Sequence, residues 1–98
     1  MITVSYVNNC LSISGHALGR NINPLCVAVS CLAEMVEAGI NKVLGIKFAK
    51  AKFEGEYRFC LTNCWDDPGV ALLIDSFFEV LIILRGKYPE QIKLSKEE

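Results

Sequence analysis

A single histidine, His16, precedes Cys26 by ten residues, and the cysteine falls in what reads as the first turn of a helix. The stretch runs Ser14-Gly15-His16-Ala17, a short loop through Leu18, Gly19, Arg20, Asn21 and Ile22, then Asn23-Pro24-Leu25-Cys26-Val27-Ala28-Val29-Ser30. A thiol at a helix N-terminus gains stabilisation of its thiolate from the helix dipole and from unpaired backbone N–H groups. A histidine brought close by a loop supplies the proton acceptor that such a nucleophile needs. The expected chemistry is that of a small cysteine protease. Cys26 Sγ attacks the scissile carbonyl, His16 acts as general base, and water hydrolyses the acyl-enzyme. Backbone N–H groups around Leu25 and Cys26 are the candidate oxyanion donors. Ser30, one helical turn after Cys26, shares its face and is placed to support the site by hydrogen bonding.

Plainer readings stand beside these. Cysteine is commonly a small buried hydrophobe, which is the alternative for Cys26. Without a catalytic role His16 is an exposed strand-end residue bonded to a loop carbonyl, yet it is the chain's sole imidazole. Asn23 either caps the helix or orients His16, and its place just before Pro24 favours capping. Gly15, Ala17 and Gly19 lend the His–Cys loop freedom to move over the site. Cys64, before Trp65 and a helix start, is the second candidate nucleophile. Cys60 and Cys64 suggest a metal pair, but with one histidine and no second such pair neither a metal nor a cofactor is expected. Apolar substrate side chains need a groove, for which Phe48, Phe53, Tyr57 and Trp65 are the aromatic candidates. Lys50, Lys52 and Arg58 gather near a hairpin tip and read as a solvated edge that discourages aggregation.

The elements that must position these residues follow from periodicity. Ile2, Val4 and Tyr6 alternate with Thr3 and Ser5, as in a half-buried strand, and Asn8-Asn9 suit a hairpin turn. The next strand places Leu11 and Ile13 on one face and Ser12, Ser14 and His16 on the other. Asn23 and Pro24 start a helix with Val29, Leu32, Ala33 and Val36 as its buried stripe, and Gly39 is expected to end it. Residues 43–53 and 56–62 read as a second hairpin around Glu54-Gly55, with Leu44, Ile46 and Phe48 sharing one face and Tyr57, Phe59 and Leu61 another. Asp66, Asp67 and Pro68 open a second helix that runs to Leu84 or Arg85, with Gly86 closing it. After a bend at Tyr88-Pro89, Ile92 and Leu94 mark a last short strand. The order β-β-α-β-β-α-β predicts an α+β single domain, residues 1–98, with a mainly antiparallel sheet and two helices.

Composition narrows the function. Ninety-eight residues make one domain, and 52% hydrophobic with 21% charged residues describe a globular chain. A net charge of -1 argues against direct nucleic-acid binding through a strong basic surface. The start reads as a strand rather than a signal peptide, and five cysteines are an odd number, so a cytoplasmic protein with reduced thiols is the expectation. The longest apolar stretch, Val70 to Leu84, carries Asp75, Ser76 and Glu79 and reads as a core helix, not a membrane span. Leu72, Ile82 and Ile83 lie in or beside that polar arc, so a second apolar contact is expected, most simply a homodimer.

On these residues the chain resembles the ribosomal-processing cysteine proteases, the Prp family. The likeness is carried by Ser14-Gly15-His16-Ala17 and Cys26-Val27-Ala28-Val29-Ser30, and extends to the second helix and the Tyr88-Pro89-Glu90-Gln91-Ile92 ending. The resemblance implies a dimeric bacterial endopeptidase (a hydrolase of the thiol protease class, serving ribosome biogenesis) with His16 and Cys26 at the family's catalytic pair. It also implies the protein substrate, the short apolar N-terminal extension of large-subunit ribosomal protein twenty-seven, or a capsid or scaffold protein for phage relatives. Two departures bear on specificity. The His16–Cys26 loop is about two residues shorter than in typical members. Asn21-Ile22-Asn23-Pro24-Leu25 stands where the family usually has Gly-x-Asp-Ile-Val, so Asn23 keeps the capping ability of the aspartate without its charge. Lys50, Lys52 and Arg58 then gain a sharper reading as a contact surface for a ribosomal substrate. The competing function is a non-enzymatic, dimeric, ribosome-associated interaction module that keeps Cys26 only for packing. A redox thiol protein is the weakest reading, because the chain has no Cys-x-x-Cys.

Overall fold

The protein is described by a computed structural model covering residues 1–15, 24–53 and 56–96. Strands β1 (Ile2–Val7) and β2 (Cys10–Ser14) form the expected hairpin. Asn8 and Asn9 turn it with φ of 53° and 63°, the left-handed pair that a two-residue turn requires. Helix α1 (Pro24–Ala38) follows, then strands β3 (Ala49–Phe53) and β4 (Glu56–Cys60), helix α2 (Pro68–Lys87) and strand β5 (Ile92–Lys96). The five strands make one sheet in the order β3-β4-β2-β1-β5. Every pairing is antiparallel except β1 with β5, so the sheet is mixed and mainly antiparallel, in an α+β domain.

Both helices cover one face of this sheet. Ile2, Val4, Leu11, Ile13, Phe59 and Ile92 point to it and are buried, while Ser5, Ser12, Ser14 and Arg58 alternate onto the other face. Leu25, Val29, Ala33 and Val36 recur at helical spacing along α1 and are buried against that face, as are Val70, Ile74, Phe77, Phe78 and Leu81 of α2. Asp67 caps α2 through its carboxylate, which accepts from Gly69 N–H at 2.8 Å and Val70 N–H at 3.2 Å, with Pro68 at the first position.

Several expectations are corrected. Gly39 does not end α1: the helix continues as a π-helical turn, Gly39–Val43, in which Leu44 N–H reaches Gly39 O at 2.9 Å. A Cβ at Gly39 would lie 2.8 Å from Leu73 Cδ1, so this glycine serves the close approach of the two helices. The left-handed glycine comes later, at Gly45 with φ 69°. The strand expected from 43 therefore begins only at Ala49, and Leu44, Ile46 and Phe48 precede it. Gly86 lies inside α2, which runs on to Lys87. Residues 70–84 are a core helix as expected; among the described residues the one helical stretch long and apolar enough to cross a membrane is Pro24–Val43, and its Leu25, Val29, Ala33, Val36 and Ile40 are buried against the sheet.

The expectation of reduced thiols is also corrected. Cys10 and Cys60 are register partners on β2 and β4, with Cα atoms 4.1 Å apart, and are joined as a disulfide on the polar face. A spacing of two along each strand puts both side chains on one side, which the chain order alone does not reveal. The same periodicity divides the basic cluster. Lys50 and Lys52 pair with Phe59 and Tyr57 on the helix-covered face, whereas Arg58 points to the opposite face and bonds Glu56 at 2.7 Å.

At the exit of β2, Gly15 has φ 82°, and a Cβ there would fall 2.0 Å from Met1 O. Gly15→Ala is expected to lower stability by at least about 1–2 kcal/mol through the left-handed backbone alone. Gly39→Ala meets only the tip of a flexible leucine and is expected to change stability by less than about 1 kcal/mol. Urea denaturation midpoints of the two variants check this ordering.

Candidate active site

The site grows from the rotation of α1. Its buried stripe faces the sheet, which turns the next stripe, Cys26, Ser30 and Glu34 at four-residue spacing, toward β4 and β3. Cys26 is the third residue of α1, inside the first turn, and is half-buried against the core. The positive end of the helix dipole lies there, and such surroundings favour a thiolate. Ser30 is half-buried one turn further on. His16, Ala17, Gly19 and Asn23 lie outside the described residues. Of the loop glycines, Gly15 is described, and the Met1 contact gives it a steric reason beside any role as a hinge.

Beside Ser30 lies a cavity of about 140 Å³, lined by Ile13, Ser30, Glu34, Lys52 and Tyr57. Of the four aromatic groove candidates, Tyr57 is the one that meets it. Phe48 instead packs edge-on to Phe59 with ring centres 5.5 Å apart, Trp65 stands exposed in the turn before α2, and Phe53's side chain lies outside the described set. The sequence reading leaves out Glu34 and assigns Lys52 only to a solvated edge or a ribosomal contact surface. The signals that locate them are the four-residue continuation of Cys26 and Ser30 along α1, and the register of Lys52 with Tyr57.

A carboxylate fixes this wall. Glu37 of α1 accepts hydrogen bonds from the Tyr57 hydroxyl and from the Lys50 ammonium, the latter at 2.6 Å. Burial draws the Glu37 pKa upward, but the bonds from Lys50 and Tyr57 and the charges of Lys50 and Lys52 outweigh it and leave the group below the ordinary glutamate value. Tyr57 responds oppositely: burial, the Glu37 acceptor and the charges of Glu37 and Glu34 push its phenol well above the tyrosine range, so it remains a donor.

Cys64, the second candidate nucleophile, is 5% exposed, and burial followed by the charges of Asp67 and Asp66 raises its pKa. Its thiol is held in the unreactive form. Cys60, once paired with Cys64 as a metal candidate, is taken by Cys10. Cys31 is exposed rather than part of the core.

The depressed Glu37 pKa sets a pH window. A carboxylate whose folded value is lowered stabilises the fold fully above its unfolded value, near pH 4.3, and that contribution fades as pH falls through the folded value. Glu37→Gln is expected to lower stability at pH 7 by about 1 kcal/mol and to flatten the loss of stability below about pH 4.5. Denaturant titrations of both proteins between pH 3 and 7 check it, and parallel acid limbs would contradict it.

No family model and no curated protein matches the chain. In fold it is similar to solved structures along its whole length. The protein SMU.848 from Streptococcus mutans matches with a TM-score of 0.78 at 21% identity, over 99% of this chain and 99% of that one. The essential ribosomal processing protease Prp from S. aureus, in complex with a covalently linked product peptide, matches with a TM-score of 0.78 at 16% identity, over 99% of this chain and 100% of that one. The same protease with a substrate peptide matches with a TM-score of 0.65 at 15% identity, over 98% and 97% of the two chains. The chain thus has the fold seen in the Prp protease.

Proposed function

We propose that this chain is a Prp-type cysteine endopeptidase, with Cys26 as nucleophile and His16 as general base. Its substrate is read as the short apolar N-terminal extension of large-subunit ribosomal protein twenty-seven, or a phage-type capsid or scaffold protein, processed in the cytoplasm. The observation that carries the reading is the place of Cys26. It is the third residue of α1, at the end of a stripe that leads through Ser30 to a cavity under the sheet edge. The whole-chain likeness to a ribosomal processing protease whose structure holds a covalently linked product peptide supports the same reading.

In the proposed cycle Cys26 Sγ adds to the scissile carbonyl, and N–H groups at the start of α1 receive the oxyanion. His16 takes the thiol proton and delivers it to the leaving amine, and water then releases the acyl group from sulfur. Ser30 supports the site from one turn along the helix. Cys26→Ala is expected to abolish cleavage of a peptide spanning the extension while leaving the circular dichroism spectrum unchanged. Cleavage retained by that variant overturns the assignment. A correctly folded wild type that cuts nothing favours the non-enzymatic interaction module.

A homodimer belongs to the same proposal. Leu72 (67% exposed) and Ile83 (58%) leave α2 with an open apolar face, and Met35, Val43, Leu44 and Leu72 rim an adjoining groove of about 480 Å³. A second copy covers such a face most simply. Leu72→Lys with Ile83→Lys is expected to convert the dimer to a monomer in sedimentation equilibrium, and an unchanged mass would place the interface elsewhere.

A further inference from the structure

We infer that Cys10 and Cys60 form a redox clamp: as a disulfide it fastens the β3–β4 hairpin to the sheet, and as two thiols it lets that hairpin open alone. The topology gives the pair this leverage. In the order β3-β4-β2-β1-β5, among the described residues, the hairpin joins the rest of the sheet through the β2–β4 ladder. That ladder runs from Cys10↔Cys60 to Ser14↔Glu56, so the cysteines hold one end of it. Just beyond them Leu61 N–H bonds Asn9 O at 2.8 Å. Bonded and non-bonded pairs alternate in an antiparallel ladder, which makes Cys10 and Cys60 a non-hydrogen-bonded pair, the kind whose side chains stand nearest. Their Cα separation of 4.1 Å agrees. The two sulfurs therefore meet without either strand moving. Elsewhere the hairpin is lightly held. None of Ala49 to Lys52 is buried, and Phe59 is the one buried residue of β4. Glu37 of α1 adds the bonds from Tyr57 and Lys50. A segment with so little buried apolar surface opens locally before the domain unfolds, unless a covalent bond forbids it.

The bond is placed to be made and broken. It lies on the sheet face that neither helix covers, and both cysteines are half-buried rather than enclosed. Their register neighbours on the outer strands, Val7 and Ala49, are exposed. A thiol reagent can therefore reach the pair from solvent. Closure takes a small-molecule disulfide, such as glutathione disulfide, as the oxidant. One cysteine thiolate attacks it, forming a mixed disulfide and releasing one glutathione thiolate. The second cysteine thiolate attacks the protein-bound sulfur, forming the Cys10–Cys60 bond and releasing the other glutathione. Two protons leave the cysteines and two electrons pass to the glutathione, and two glutathione thiols reverse both steps. The clamp also bears on the site, because the Cys26, Ser30 and Glu34 stripe of α1 faces this hairpin.

The test is amide hydrogen exchange of the full chain, held in glutathione disulfide or in reduced glutathione. Thiols are counted in each buffer by alkylation in denaturant and mass spectrometry. Glutathione disulfide is expected to lower the count from five to three, leaving Cys26, Cys31 and Cys64 to be alkylated. On going from the oxidised to the reduced protein, the β4 amides are expected to exchange about 30-fold faster or more. Their gain is expected to exceed that of the β1 and β5 amides by about 10-fold. Cys10→Ser with Cys60→Ser is expected to exchange like reduced wild type in both buffers. Five thiols in both buffers overturn the clamp. Equal gains in β1, β4 and β5 overturn it too, since they mark a bond that steadies the whole domain and not the hairpin. A double variant that exchanges like the oxidised protein does the same. Wild type supplies both redox states, so the test stays decisive if the variant does not fold. None of these outcomes bears on whether the chain cuts peptides, so the peptidase reading stands or falls separately.

Discussion

The burial of one stripe of α1 against the sheet is the constraint on which the rest of the site depends. Leu25, Val29, Ala33, Val36 and Ile40 lie along a single side of a continuous helical run, and each is buried. Burying side chains of this size is worth about 1.5–3 kcal/mol apiece for the larger ones, so the helix has no free choice of rotation. Once those residues face the sheet, the stripe of Cys26, Ser30 and Glu34 must face the β3–β4 edge. The position of the thiol is thus a consequence of core packing. At the end of β2, Gly15 takes a left-handed backbone close against Met1.

Electrostatics at this edge is local and self-contained. Glu37 binds Tyr57 and Lys50, Lys52 lies over the Tyr57 ring, and Arg58 turns away to Glu56. The exposed Lys50–Glu37 pair alone contributes little, since water screens a half-exposed ammonium. Its value is geometric: with the Tyr57 hydroxyl it holds the outer hairpin against α1 and keeps the cavity wall in place.

Much of this was legible in the sequence wherever a local rule coincides with the tertiary one. Asn8-Asn9 needed a left-handed turn and has it; Asp67-Pro68 capped and opened α2; Ile2, Val4, Leu11 and Ile13 alternated into the core. Sequence failed where a distant contact decides. Gly39 looked like a helix stop because glycine is a good one, but the close approach of Leu73 explains it, and the helix runs on to Val43. The β3 strand started late for the same reason, since its first apolar residues are drawn toward the helices. The Cys10–Cys60 pairing depends on β4 lying beside β2, which no local pattern announces. For the site, the shared face of Cys26 and Ser30 was readable from helical spacing. The cavity walls were not, because Lys52 and Tyr57 reach Ser30 only through strand register.

Selective alkylation of the thiols tests the central claim most directly. Iodoacetamide at neutral pH, with labelled peptides quantified by mass spectrometry, ranks Cys26 against Cys31 and Cys64. Exposure alone orders them Cys31, Cys26, Cys64, since the first is exposed, the second half-buried and the third buried. If Cys26 is an activated nucleophile served by His16, it reacts many-fold faster than the more exposed Cys31, and His16→Ala returns it to the rate of an ordinary thiol. A Cys26 that reacts more slowly than Cys31 in the wild type, and is indifferent to His16→Ala, would contradict the account.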